Sequence, residues 1–187
     1  KKVIRFFQLM AAAGKLKIDV IAYSLMQKDK PIHPHSRRYF RHFRQGGCKL
    51  ILDGSPQGKT AWLSKPYEGE EDYRGYPALT DEQAEAFIAA AISSNQQLLA
   101  HCNGDAAGDQ FIKYYKKGLT ASTNPNKNNL RPVMIHCQTA RSDQLDAMAE
   151  LGMIPSIFVA HTYYWGDVHL KNFGPQRGHK ISPARSA

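Results

Sequence analysis

The chain is poor in cysteine and has no long hydrophobic run. Only three of its 187 residues are cysteines, and no two of them have C-x-x-C spacing. This argues against a disulfide framework and against a zinc site of paired cysteines, and it is typical of a reducing compartment. No apolar stretch reaches the roughly 18 residues of a membrane span, and no signal-peptide pattern is visible. We therefore expect a cytoplasmic protein.

Acidic residues are scarce, with 16 Asp and Glu against 25 Lys and Arg, which gives a formal net charge of +9. Residues 28–47 carry six basic side chains and one acidic one, interleaved with the aromatic residues Tyr39, Phe40 and Phe43. Such a segment could bind nucleic acid. A solvated segment whose acidic partners lie elsewhere is the more common explanation, because basic patches are weakly specific.

Short apolar runs alternate with amphipathic segments along the chain. The pattern predicts strands at 18–23, 48–52, 97–102, 131–137 and 154–160, and helices at 3–13, 80–94, 105–118 and 141–151. Thr80 with Gln83 predicts a capping box, and Asp105 predicts a second N-cap. Residues 53–75, 120–129 and 162–187 are expected to be loops. The alternation indicates one α/β domain with a parallel sheet and helices outside.

Three chemically active side chains lie in or directly after these apolar runs: Lys49, His101 and His136. The carboxyl ends of parallel strands meet at one edge of a sheet, where functional residues collect. Histidine is the commonest metal ligand, and a lysine in a buried strand is costly unless it is neutralised or paired. Carbamylation by carbon dioxide would make Lys49 an anionic metal ligand, and an ion pair with Asp53 or with a carboxylate outside this segment is the alternative. Each of the three has a neighbouring cysteine, which we expect to face the helix layer.

Five segments resemble, in order, metal-dependent hydrolases of the amidohydrolase superfamily, and the amidohydrolase family 3 branch most closely. KLILDGS at 49–55, with GKTAWL at 58–63 and Pro66-Tyr67, is similar to the strand-4 region. HCNGDAA at 101–107 and RPVMIHCQ at 131–138 resemble the strand-5 and strand-6 segments. Residues 151–167 resemble the strand-7 region, and residues 174–184 resemble the stretch leading toward strand 8.

The resemblance implies a TIM-like (β/α)8 barrel with a one- or two-metal hydrolytic site. It makes Lys49 the carbamylated bridging ligand, and His101 and His136 ligands of the second ion, which we expect to be zinc. His161 would lie beside the scissile group as a catalytic contact. We assign substrate binding to three aromatic residues in the matching loops: Trp62, Tyr67 and Trp165.

The pattern of the family also has a His-x-His pair on strand 1 and an Asp after strand 8. His33-Pro34-His35 lies in the basic segment without a preceding strand, and no eighth strand follows Ala187. We therefore expect residues 1–187 to be a partial barrel, about strands 3 to 7. Such a fragment is expected to be inactive alone, and to associate with a second copy or with the missing part of its own barrel.

The expected activity of the parent enzyme is metal-dependent hydrolysis of an amide or related C–N or C–O bond in a small molecule. Two alternatives remain open. A mononuclear deaminase of the same superfamily would not need Lys49. A basic nucleic-acid-binding domain would instead show affinity that falls steeply with salt.

Overall fold

The computed structural model describes residues 2–187, which form a five-stranded sheet and five α-helices. The strands are β1 (Val20–Leu25), β2 (Phe43–Ile51), β3 (Gln97–Cys102), β4 (Val133–His136) and β5 (Ile154–Ile157). The helices are α1 (Lys2–Ala12), α2 (Asp81–Ser93), α3 (Asp105–Ala121), α4 (Ser142–Glu150) and α5 (Ala160–Gly178). No helix in this range is long and apolar enough to cross a bilayer.

All neighbouring strands pair in parallel, in the order β1-β2-β3-β4-β5. From β2 onward an α-helix connects each pair of consecutive strands, as is usual for parallel crossovers. The expected parallel α/β organisation is therefore confirmed. Sequential order also places the ends of β2, β3 and β4 side by side, so that residues following these strands are neighbours in space.

One face of the sheet packs under the helices and forms the main core. Its strand residues alternate with those of the other face, and they pack against buried residues of α2 and α3 such as Ile88, Phe111 and Tyr115. Cys48, Cys102 and Cys137 all lie buried and unpaired in this layer, as expected from the alternation. The opposite face carries Lys49, Leu99 and His101, which are half-buried, and Ile51, which is 43% exposed.

The glycine pair of the basic segment lies inside a strand, because β2 begins at Phe43 and not at the expected residue 48. Ala22 pairs with Gln45 while Tyr23 pairs with Gly47, so Gly46 is the extra residue of a β-bulge. A Cβ at Gly47 would lie 2.2 Å from the Gln97 carbonyl oxygen. These glycines permit close strand contact and do not end the strand.

Two helix starts test the expected caps. Thr80 and Gln83 form the expected capping box at α2. Asp105 is not the N-cap of α3, which corrects our expectation: Gly104 occupies that position, and Asp105 is the first helical residue. Its carboxylate instead accepts hydrogen bonds from Ser64 and Arg141. At Gly104 the backbone passes so close to Trp62 that a Cβ there would lie 1.8 Å from the Trp62 carbonyl oxygen.

The segment expected to be a C-terminal loop is largely the helix α5, which starts one residue before His161. Gly174 has a left-handed φ of 73° and Pro175 follows it, so two helical pieces join there at a kink. Glu68 and Asn172 tie the long loop after β2 to this helix through the Glu68 N–H and the Asn172 carbonyl, 2.8 Å apart. Gly174 and Pro175 are residues that commonly end a helix, but here they lie at a kink inside one.

Candidate metal centre

His101 and His136 meet at the carboxyl ends of β3 and β4. Their rings are 4.5 Å apart between centroids, and His136 Nε2 lies 3.1 Å from His101 Nδ1. His136 has a left-handed φ of 78°, and Cys137 follows with 47°. Strict alternation would put His136 on the same buried face as Met134, so this unusual backbone turns its ring toward His101. Left-handed backbone at non-glycine residues is uncommon and collects at functional sites.

The backbone carbonyl of Gly54 fixes the orientation of His101. His101 Nε2 lies 2.9 Å from this oxygen, and Asn103 Nδ2 donates to the same oxygen at 2.7 Å. With Nε2–H donating to the carbonyl, the Nδ1 lone pair points toward His136. Metal-binding histidines are held in this way by a hydrogen bond from the second ring nitrogen.

Both imidazoles are held in the neutral form that binds metal ions. Burial, together with the nearby His101, His161 and Lys49, lowers the pKa of His136 to about 4. Burial is also the main reason why the pKa of His101 lies below its usual range, with Lys49 adding to the effect. The two rings therefore keep free nitrogen lone pairs at neutral pH.

Lys49 lies on the same sheet face as His101, since it pairs with Leu99, two residues before His101 on the neighbouring strand. Burial lowers the pKa of its ammonium group. Among residues 2–187 Lys49 forms no ion pair with Asp53 or with another carboxylate. The Asp53 carboxylate accepts hydrogen bonds from the backbone N–H groups of Trp62, Asn103 and Gly104, at 3.0, 3.0 and 2.7 Å.

Asp53 is a buried connector behind the histidines. Its side chain is fully buried, and its hydrogen bonds join the end of β2 to the turn after β3 and to the long loop. Burial raises its pKa to about 6, against the lowering effect of the three N–H donors. Its Oδ1 lies 3.7 Å from His101 Nε2, so Asp53 supports the ring from the side away from His136.

The residues present fit a divalent metal ion with imidazole ligands. Two nitrogens bound to one tetrahedral zinc at about 2.0–2.1 Å lie about 3.3 Å apart, close to the 3.1 Å between His101 and His136. Lys49 can supply a further ligand only as a carbamate. Within residues 2–187 no group of three or more His, Cys, Asp or Glu is arranged to hold a metal. The two histidines are thus only part of the set of ligands that such a metal ion needs.

His161 extends the site through a row of stacked rings. It is buried in the first turn of α5, with its ring 6.0 Å from His136 and 5.6 Å from His169. His169 stacks in turn on Phe173, and Phe173 on Tyr67. The structure therefore places His161, the candidate catalytic residue, beside the candidate ligand His136.

The three aromatic residues assigned to substrate binding are scattered. Tyr67 is 1% exposed, and its hydroxyl donates to the Ala61 carbonyl at 2.8 Å, so it is a core residue. Trp62 is half-buried against the main core, and Trp165 on α5 is 42% exposed. The assignment of Tyr67 is corrected, because packing of the long loop on α5 closes it off. Trp165 keeps the exposure that a substrate contact needs.

Comparison with known proteins decides the family. A sequence profile described as "Amidohydrolase family" matches residues 2–187. The chain belongs to the amidohydrolase family. Two solved structures of uncharacterized metal-dependent hydrolases share the fold of this amidohydrolase. The one from Pyrococcus horikoshii OT3 has a TM-score of 0.76 at 24% identity, and the one from Pyrococcus furiosus has 0.75 at 21%.

Both structural matches cover 95% of this chain but only 35% and 36% of the other chains. No significant match to a curated protein was found. The chain spans about a third of the length of the solved relatives. Five sequential parallel strands with helices on one face agree with a segment of a TIM-like barrel, which confirms the expected fold class.

Two supporting residues escaped prediction from the sequence. Asn103 follows the His101-Cys102 motif directly, so its position was visible but its bond to Gly54 was not. His169 lies two helical turns after His161, a spacing that puts both on one helix face. That periodicity would have shown the pair if residues 162–187 had been recognised as helical.

Proposed function

We propose that the amidohydrolase containing this chain hydrolyses an amide or a related C–N or C–O bond of a small molecule with the help of a divalent metal ion, expected to be zinc. The opposed nitrogens of His101 and His136, 3.1 Å apart at two strand ends, carry this proposal. A bound divalent ion polarises a carbonyl and lowers the pKa of its bound water to about 7.

The side chains of this chain take three roles. His101 and His136 hold the ion, and the Gly54 carbonyl keeps His101 in the correct tautomer. Lys49 becomes a ligand after its neutral amine attacks carbon dioxide: an N–C bond forms, a C=O electron pair moves to oxygen, and nitrogen releases a proton. His161 contacts the substrate near the scissile bond, which its place beside His136 supports.

The sheet of this chain leaves its first and last strands with one partner each among residues 2–187. These edges and the open face expose apolar side chains such as Ile21, Leu25, Ile51 and Ile154, each at least 40% exposed. Unpaired strand edges with apolar flanks are templates for pairing. We therefore infer that another polypeptide, either the rest of the same barrel or a second copy, covers them, and that residues 1–187 alone are inactive. The three buried free cysteines support a reducing compartment such as the cytoplasm.

Metal analysis of the intact protein tests the proposal. We expect one or two divalent ions per chain after incubation with zinc and bicarbonate, and metal-dependent hydrolysis of a panel of amides. His136→Ala should lower both the metal content and the turnover. His179→Ala, an exposed histidine at the end of α5, serves as the matched control. An intact protein that binds no divalent metal under these conditions would contradict the proposal.

Replacing Lys49 separates the two enzyme classes. In a carbamate-bridged hydrolase, Lys49→Met should remove one ion and the activity, and bicarbonate should have no effect on the variant. A mononuclear deaminase would keep its ion and its turnover. Retained hydrolysis of amides by Lys49→Met would show that the carbamate is not needed.

A further inference from the structure

A second candidate site lies at the opposite end of the sheet from the histidines. A cleft with a volume of about 390 Å³ opens over the amino ends of β2, β3 and β4. We call it the basic cleft, and its lining residues include Arg37, Tyr39, Arg44, Asn95, Asn129 and Arg131. Gln97, which also lines it, is the first residue of β3, while His101 is the fifth. At about 3.3 Å per strand residue, the two sites are about 13 Å apart.

The basic cleft concentrates positive charge without acidic partners. No Asp or Glu lines it. Within residues 2–187, all eight salt bridges lie elsewhere, and none includes Arg37, Arg44 or Arg131. The missing acidic partners of the basic segment are therefore not supplied by the fold. Three guanidinium groups around one concavity repel each other, and a bound anion removes that repulsion.

Part of the lining is held in place before any ligand binds. The Arg44 guanidinium lies 5.4 Å from the centre of the Tyr39 ring and donates to the Ser36 carbonyl at 3.3 Å. Across the cleft, Gln97 accepts a hydrogen bond from the Tyr23 hydroxyl and donates to the Arg131 carbonyl at 2.8 Å. Arg131 itself has a left-handed φ of 49°. Both walls are thus fixed by contacts that leave the Arg131 guanidinium free of protein partners among the described residues.

We propose that the basic cleft binds a nucleoside phosphate. Planar guanidinium groups match phosphate oxygens in a bidentate geometry. Tyr39 is 43% exposed, so its ring offers a surface on which a base can stack. The side-chain amides of Asn95 and Asn129 can exchange hydrogen bonds with the edge of that base. The volume of the cleft lies within the range of small-molecule sites. Nothing in this proposal depends on the metal centre.

Calorimetric titration of the intact protein with adenosine monophosphate tests the proposal, with adenosine and inorganic phosphate in parallel. We expect saturable binding of one nucleotide per chain at low salt, and about tenfold weaker binding of either part alone. Arg131→Gln and Arg44→Gln should each weaken nucleotide binding about tenfold or more, because each removes a charge-assisted hydrogen bond. Thermal melting verifies that the variants are folded. Arg131 is exposed, so Arg131→Gln is the variant less expected to disturb folding.

Arg185→Gln is the matched control, since it removes an equal charge from the tail near the other end of the sheet, where the Ser182 N–H bonds to the Gln138 carbonyl. It should leave the affinity unchanged. Equal weakening by Arg185→Gln would show unspecific attraction and overturn the proposal. Absence of nucleotide binding at millimolar concentration would also overturn it. So would tight binding of a single-stranded oligonucleotide that the nucleotide does not displace, because the surface would then serve nucleic acid.

Discussion

The buried imidazole of His169 makes the stability of this chain depend on pH. His169 is 0% exposed, stacks between His161 and Phe173, and neither ring nitrogen has a hydrogen-bond partner among residues 2–187. Burial lowers its pKa to about 4, with His161 adding to the effect. An imidazole in the unfolded chain has a pKa of about 6.5. The folded chain therefore binds this proton more weakly than the unfolded chain does.

Protonation of His169 consequently favours unfolding. Its effect is absent above pH about 6.5, where the ring is neutral in both states, and stability is lost as the pH falls from about 6.5 to about 4. At about 1.4 kcal/mol per pKa unit the full loss is about 3 kcal/mol. Local relaxation around a charged ring reduces this, so we expect a contribution of about 1–3 kcal/mol to the free energy of unfolding.

Urea unfolding between pH 7.5 and 4.5 measures this contribution. His169→Phe keeps a ring in the stack but cannot take up a proton. Its free energy of unfolding should fall by about 1–3 kcal/mol less than that of the wild type over this range. The exposed His179→Phe is the control and should follow the wild type. Parallel curves for His169→Phe and the wild type would refute the burial argument.

Three further outcomes are expected. Asp53→Asn places an amide donor against backbone N–H groups and should lower the free energy of unfolding by about 2 kcal/mol in urea titrations; an unchanged midpoint would contradict the connector role. Gly104→Ala should lower the free energy of unfolding by about 3 kcal/mol or prevent folding. Gly152 has a left-handed φ but open space around it, so Gly152→Ala should lower the free energy of unfolding by about 1 kcal/mol. Equal losses in the two variants would exclude the contact of Gly104 with Trp62. Light scattering of the chain at micromolar concentration should give a mass above 21 kDa, and a cooperatively unfolding monomer would refute association.

The layer order of this fold could be predicted from the sequence because it depends on local patterns. Short apolar runs separated by amphipathic segments require a parallel sheet with helices outside, and the three cysteines follow from alternation alone. The grouping of Lys49, His101 and His136 could be predicted for the same reason, and their role as metal ligands stays a prediction. They lie in or directly after such runs, and in a parallel sheet with sequential order those ends are neighbours.

Local patterns failed where a residue serves a distant contact. The strand expected at 48–52 begins at Phe43, since Gly46 forms a bulge within it and Gly47 leaves room for the Gln97 carbonyl. Asp105 looked like a cap, but its carboxylate is used by Ser64 and Arg141, which lie 41 and 36 residues away in the sequence. A cap predicted only from the residues next to a helix start does not take into account distant partners that compete for the same side chain.

The same distinction applies within the candidate site. The positions of the candidate ligands were encoded at the strand ends, but their geometry depends on tertiary contacts. The His136 ring reaches His101 only because its backbone leaves the strand with a φ of 78°, and His101 keeps its tautomer only because the loop after β2 returns the Gly54 carbonyl to it. Asp53 holds that loop to the turn after β3. A substitution at Asp53 or Gly54 should therefore disturb the distance between the two rings before it disturbs the fold, since both residues lie outside all five strands.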